Sequence, residues 1–339
     1  MPIWELLLVL VSSMFVAYWL TGLTRNYALR QELLDIPNQR SSHSVPTPRG
    51  GGVSIIVAIV VAGLLAAWKY PDQAVLLLLL ITTSFTYALL GWLDDHIDLS
   101  SLSRFLVQIL ISVFAISWLF MTDGASLSGH VPAQLLAITA VLWVVWMANL
   151  YNFMDGIDGI AAIEALVLSA AAAVWFGVQG GDGIMIVALA VMGASAGFLG
   201  WNWSPAKIFM GDVGSVALGA FFAVLALVGS SHYGIPITAF IVLYGVFLVD
   251  ATVTLIKRML RREKWWQAHR SHYYQRAVQS GWSHSEVSLV VLVIDIVLAT
   301  LATMLIAGIL SELVTLLLAS AILASVIILI DLRCKKQQS

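Results

Sequence analysis

Long apolar runs alternate along the chain with short segments rich in Asp, Asn, Gly, His and Arg. A helix that crosses a bilayer needs about 20 mostly apolar residues. A window of that width predicts eleven spans, near residues 4–21, 50–68, 74–93, 104–121, 133–150, 159–176, 184–201, 213–230, 235–256, 286–308 and 311–330. The first is preceded by Trp4 and Glu5 and by no Lys or Arg. A secretory signal has a basic start and a shorter apolar core, so this stretch reads as an uncleaved span. The longest connections, 22–49 and 257–285, hold about 28 residues each, and no internal repeat or low-complexity tract is visible.

Composition sharpens the picture. Of 339 residues, 60% are hydrophobic and 11% charged, against about 25% charged in soluble domains. At a mean hydropathy of +0.93, the apolar residues outnumber what one aqueous core would hide, so the solvent is lipid. An ordinary soluble enzyme and a disordered chain are both excluded. The expected fold is an all-α integral membrane protein of about eleven transmembrane helices, with 1–339 forming a single polytopic domain. A net charge of −2 gives no field that would attract nucleic acid. Cys334 is the one cysteine, which excludes an internal disulfide and cysteine-rich metal sites.

Charge sets the orientation. With the N-terminus outside and the C-terminus cytoplasmic, the inner connections and the tail hold 16 of the 17 basic residues, and Lys69 alone lies outside. The positive-inside rule favours that arrangement. The outer connections are short and poor in functional groups. The inner ones carry five polar segments, so the expected active site is assembled from several loops on the cytoplasmic face of the membrane.

The first segment runs from Asp35 through Asn38, Arg40, His43 and Pro48 to Arg49-Gly50-Gly51-Gly52. Three glycines before a span let backbone N–H groups approach an anion, and a helix N-terminus adds positive potential. A plain Pro/Gly-rich turn is the alternative. The second is Asp94-Asp95-His96-Ile97-Asp98, where three carboxylates at a helix C-terminus oppose the helix dipole. Unless solvated as an acidic cap, they call for a hard divalent cation or for a carboxylate acting as base. The third, Asn149 to Gly159, places Asn149, Asn152, Asp155 and Asp158 three apart. On a continuous helix they would drift around the axis. Gly156 and Gly159 suggest a break that turns them into one cavity.

The fourth, Trp201 to Ser215, holds Asn202, Phe209 and Asp212; Phe209 suits stacking on a flat ring, while Trp201 and Trp203 fit an interfacial belt. The fifth is the basic loop 257–276, with His269-Arg270-Ser271-His272. Its Lys257–Lys264 part reads as a positive-inside segment on anionic headgroups, and His269, Arg270 and His272 as a polyphosphate contact. Three acids fall inside predicted spans. Glu164 would orient the Asp155/Asp158 segment, Asp250 would reach the interface, and Asp295 has no place beyond that of a protonated structural carboxyl. The sum suits Mg²⁺-dependent phosphoryl transfer between a soluble nucleotide and a lipid.

The same residues carry a resemblance. Asp94-Asp95-x-x-Asp98, the Asn149–Gly159 stretch, Phe209-Met-Gly-Asp212-Val-Gly-Ser215 and the Pro-Asn-x-Arg…Pro-Thr-Pro-Arg-Gly-Gly-Gly segment resemble the polyprenyl-phosphate N-acetylhexosamine-1-phosphate transferases, the group of the MraY translocase and the WecA-type initiating enzymes. The resemblance covers nearly the whole chain, with motifs in matching order. It implies an enzyme of the bacterial inner membrane that gives the sugar-1-phosphate of a UDP-N-acetyl sugar to undecaprenyl phosphate, releases UMP and starts a surface glycan such as O-antigen in lipopolysaccharide biosynthesis. Carried over by position, Asp212 and Asn152 would bind Mg²⁺ (or Mn²⁺). Asp94 and Asp95 would handle the lipid phosphate, and Asp155 would support the diphosphate. Asp158, Asn202 and Phe209 would hold the uracil, with Arg49 and Asn149 also at the substrates. His269, Arg270 and His272 would meet the sugar and phosphates, although the His-Arg-Ser-His spacing departs from the more closely spaced histidines common in relatives. Asp98 favours the simple-sugar branch over the peptide-bearing one. A homodimer stays open as a partner state. The competing readings are a secondary transporter of an anionic sugar conjugate and a lipid phosphatase using the same metal site.

Overall fold

The computed structural model describes residues 1–37, 45–97, 99–123, 132–264 and 269–336. Asn38, Arg40, His43 and Asp98, singled out above, lie outside them. The chain folds into thirteen α-helices among the described residues: α1 (Ile3–Arg30), α2 (Val53–Lys69), α3 (Ala74–Ile97), α4 (Ser101–Asp123), α5 (Ala133–Met154), α6 (Ile160–Val178), α7 (Asp182–Asn202), α8 (Asp212–His232), α9 (Ile237–Leu243), α10 (Gly245–Leu260), α11 (Tyr273–Gln279), α12 (His284–Ile306) and α13 (Glu312–Lys336). An antiparallel pair of two-residue strands, β1 (Leu34–Asp35) and β2 (Thr47–Pro48), sets Leu34 opposite Pro48 and closes the base of the first loop.

Nine helices among the described residues are long and apolar enough to cross a membrane, and α2, with 17 residues, is a shorter apolar helix. The remaining expected span, 235–256, is not one helix: α9 and α10 meet at Tyr244 with a bend of 76°. The reason lies in α10. Its buried positions, Phe247, Asp250, Ala251 and Thr254, form one stripe, and its last turn carries Lys257 and Arg258. A one-sided helix of this kind lies against the bundle instead of continuing an all-round apolar span. Tyr244 is pinned at the corner by its hydroxyl, which donates to the Phe222 carbonyl at 2.7 Å.

Helix α8 forms the axis. It is buried almost without interruption from Val213 to Ala226 and packs against α3 and α5, whereas α1 and α13 leave most of their surface outward. The α3–α8 approach depends on one glycine. A Cβ on Gly91 would sit 2.3 Å from the Asp212 carbonyl oxygen, so no other residue allows the last turns of α3 to lie beside the first turn of α8. The Asp94/Asp95 pair is thereby held next to Asp212.

Glu164 does not support the Asp155/Asp158 segment as the sequence leads one to expect. It faces Asp295 across the α6–α12 contact, and both side chains are fully buried. The two acids, met singly in the sequence, are neighbours in the bundle interior, where none of their four carboxyl oxygens has a hydrogen-bond partner.

Candidate active site

Successive helix ends deliver the polar side chains to one end of the bundle. The C-terminal turns of α3, α5 and α7 meet the N-terminal turns of α2, α4, α6, α8 and α12 there, because their side chains and loops bond to one another. Asp212, the first residue of α8, is the hub. Its Oδ1 accepts from Asn152 Nδ2 at 2.8 Å, and the same amide reaches Ser215 Oγ at 2.9 Å. Its Oδ2 lies 3.4 Å from Arg104 Nη1, which also contacts Asp94 Oδ2 at 2.5 Å. Asp94 Oδ1 accepts from the Leu99 amide at 2.8 Å, which fixes the carboxylate at the end of α3.

Asp95 is buried and engaged differently. Its two oxygens accept from the backbone amides of Asp212 and Val213 at 3.3 and 3.2 Å, so it caps α8 from outside that helix. A carboxylate at a helix N-terminus is favoured by the unpaired amides and the dipole. Arg49 closes the other side, with Nη1 at 3.7 Å from Asp95 Oδ1 and Nη2 donating to the Asp95 carbonyl. The neighbouring glycines have a role other than the expected anion cradle. The amides of Gly51 and Gly52 donate to the carbonyls of Phe209 and Met210, both at 2.9 Å. They splice the first loop to the fourth, and those two donors are thereby used within the protein.

The third segment does break, and Asp155 follows the last residue of α5. Burial pushes the Asp155 carboxyl well above the usual carboxylate range, and the charges of Asp212, Asp95 and Asp158 push the same way. Asp158 behaves oppositely. Burial raises it, but His284 Nδ1 at 3.3 Å and the Ala206 amide at 3.2 Å hold it below its ordinary value. Asn202 is buried, accepting from the Gly159 amide and donating to the Ile208 carbonyl, each at 3.0 Å. Both ends of its amide therefore brace the 155–159 loop against 203–211. Phe209 is half-buried beside that brace. Asn149 turns to α4, where Nδ2 donates to Gln108 Oε1 at 2.6 Å, one turn away from the Asn152–Asp212 contact.

The basic loop reaches the site through aromatic contacts. His272 is buried; its ring lies 4.8 Å from that of His269, 6.3 Å from Phe153 and 5.8 Å from Tyr274. Tyr274 Oη donates to the Phe153 carbonyl at 3.0 Å. A Cβ on Gly156 would come within 2.1 Å of that hydroxyl, so the glycine admits the tyrosine beside Asp155. Burial and the neighbouring His272 lower His269 to about 4. Arg270 is exposed on the same loop.

Sequence reasoning missed Arg104 as a site residue, and His284 and Tyr274 altogether. Arg104 had a signal: it is the one cation close in sequence to the Asp94–Asp98 cluster. His284 and Tyr274 had none, since each meets its partner more than 100 positions away.

The donor chemistry fits a hard divalent cation: carboxylates from Asp94, Asp95, Asp155 and Asp212 crowd together with an Asn amide, and one arginine bridges two of them. Among the described residues, no three His, Cys, Asp or Glu side chains form a closed ligand group.

Residues 76–230 match the family described as glycosyl transferase family 4. The chain is 30% identical over 302 residues, 87% of its length and 83% of the relative's, to the Bacillus subtilis (strain 168) protein named "Probable undecaprenyl-phosphate N-acetylglucosaminyl 1-phosphate transferase". It is 29% identical over 269 residues to the phospho-N-acetylmuramoyl-pentapeptide-transferase of Geobacillus sp. (strain WCH70), covering 74% of this chain and 79% of that one. A multi-pass membrane protein with these motifs and relatives belongs to glycosyl transferase family 4, in its group of polyprenyl-phosphate N-acetylhexosamine-1-phosphate transferases.

Proposed function

We propose that the protein transfers N-acetylhexosamine-1-phosphate from a UDP-sugar to undecaprenyl phosphate, releasing UMP and starting a surface glycan such as O-antigen. The observation that carries the reading is the gathering of Asp94, Asp95, Asn152, Asp155 and Asp212 around the first turn of α8, with Arg49 and Arg104 between them. The charge distribution supports an orientation in which this end faces the cytoplasm of the bacterial inner membrane, where nucleotide sugars are made.

In the reaction, an oxygen of the lipid phosphate attacks the sugar-bearing phosphorus, and the bond to UMP breaks. Asp212 and Asn152 would hold Mg²⁺, or Mn²⁺, which when bound neutralises the donor's diphosphate and stabilises the leaving group. Asp94, fixed by the Leu99 amide and Arg104, would place the acceptor phosphate. Asp95 would keep α8 aimed at it. Beside Asp95, a cavity of about 350 Å³ lined by Leu23, Tyr27, Val53 and Trp92, with Arg49 and His96, suits an apolar chain that ends in a phosphate. Asp158 and Phe209 would take the uracil in a pocket whose walls Asn202 braces. The basic loop would contact the sugar and its phosphates.

The test supplies purified protein with undecaprenyl phosphate, Mg²⁺ and a panel of UDP-sugars and measures UMP. Release that needs both lipid and an N-acetylated donor is expected. Inorganic phosphate released from the lipid alone would instead make the protein a phosphatase. Uptake into vesicles without UMP release would make it a transporter.

A further inference from the structure

Asp250 lies on α10, and its carboxylate is the meeting point of the basic loop. Oδ1 accepts from His272 Nδ1 at 3.2 Å, from the Tyr273 amide at 2.9 Å and from Thr254 Oγ1 at 3.2 Å; Oδ2 accepts from the Tyr274 amide at 3.0 Å. The side chain is buried, so these contacts take up a charge that would otherwise be costly to bury. They do two things at once. A carboxylate facing Nδ1 favours the tautomer with the proton there, against the ring's capping contact with the Gln275 backbone amide, which needs an unprotonated nitrogen; Nε2 is then the second functional nitrogen of the ring. The two backbone bonds fix the first turn of α11, and with it Tyr274, whose hydroxyl bonds to Phe153 next to Asn152. His272 and the end of α5 are thus set by the same carboxylate.

We infer that Asp250 is a positioning residue for the transfer reaction: it fixes the tautomer and the seat of His272 and so aligns the basic loop with the acid cluster around Asp212. This rests on the proposed transferase reading. Asp250 touches none of the reacting groups itself; it acts through His272 and Tyr274.

The experiment pairs a spectroscopic arm with a kinetic one on the full-length protein in detergent or nanodiscs. In protein labelled with ¹⁵N-histidine, the His272 ring, assigned by its loss in His272→Gln, is expected to carry its proton on Nδ1. Asp250→Asn offers an amide N–H to that nitrogen and is expected to move the proton to Nε2, with turnover down by about 10–100-fold, the range for residues that orient a functional histidine, and with less change in the KM for the UDP-sugar. Asp250→Glu, which keeps the carboxylate, is expected to restore part of the turnover. Because Asp250 acts through His272, Asp250→Asn combined with His272→Gln should lose no more than His272→Gln alone. A wild-type His272 protonated only on Nε2 would overturn the inference, whether or not the variants fold. So would losses that multiply in the double variant. Wild-type protein inactive with every UDP-sugar would remove the transferase reading and leave the tautomer result standing.

Discussion

The two ends of the bundle are built from the same helices and treat polar residues in opposite ways. At the end away from the acid cluster, the described polar groups settle neighbour to neighbour. Lys69 Nζ meets Glu5 Oε2 at 2.6 Å, and Gln73 accepts from the Gly183 amide at 2.9 Å and donates to the Gly180 carbonyl at 3.2 Å. One charge answers one charge, and an amide closes a turn. At the other end, Asp94 and Asp212 share Arg104, Asp95 pairs with Arg49 and Asp158 with His284, while Asp155 is left with carboxylate neighbours on several sides. The described polar groups of the first end are answered within the protein, at little gain in stability where they are exposed. The second retains negative charge in a half-desolvated place, an arrangement that gains from a cation and phosphates.

Substitutions sharpen that contrast. Asp212→Asn is expected to lower UMP release by at least ~100-fold, the scale of losing one positioned electrostatic element, while helical content and membrane insertion stay unchanged; full Mg²⁺-dependent turnover in that variant would remove the metal assignment. Arg104→Gln, which takes away the bridge between Asp94 and Asp212, should cost about 10–100-fold in turnover by analogy with other orienting partners, measured at saturating donor. A smaller effect concerns stability. His269 has a folded value of about 4 against about 6.5 in an unfolded chain, so the unfolded state binds the extra proton first as pH falls. Its contribution is present above pH ~6.5 and is lost as pH drops toward ~4. The Tm of wild type is expected to fall more steeply across that window than the Tm of His269→Gln. Least of all, Lys69→Gln at the opposite end should leave both turnover and Tm within error, because an exposed ion pair contributes little. A large loss of turnover there would erase the distinction between the two ends.

The helices were legible from hydropathy alone, since lipid demands long apolar runs. The bend at Tyr244 was not. Residues 235–256 are apolar enough for one span, and the one-sided burial of α10 becomes visible only when the bundle shows which face is covered. In the site, residue type and spacing identified Asp94, Asn152 and Asp212, and the structure joins Asp94 and Asp212 through Arg104 and Asn152 to Asp212 directly. Partnerships were beyond reach. Asp95 looks like Asp94 in the sequence, yet Asp95 caps α8 through that helix's backbone amides while Asp94 is tied to Arg104 and the Leu99 amide. Asn202 looks like a ligand contact and braces two loops. Glu164 and Asp295 lie 131 positions apart in the sequence, and spacing says nothing of side chains that meet across two helices.

Helix α13 is mostly exposed along its length, yet its last turns grip the site end. Asp331 Oδ1 meets Arg276 Nη1 at 2.5 Å and Oδ2 meets Lys257 Nζ at 3.6 Å, while Arg333 lies over the Trp282 ring at 5.2 Å. The tail is therefore a mooring line for the histidine loop. Cutting the chain ahead of Asp331, or tugging on it through a fused cargo, slackens α11 from outside the catalytic chamber.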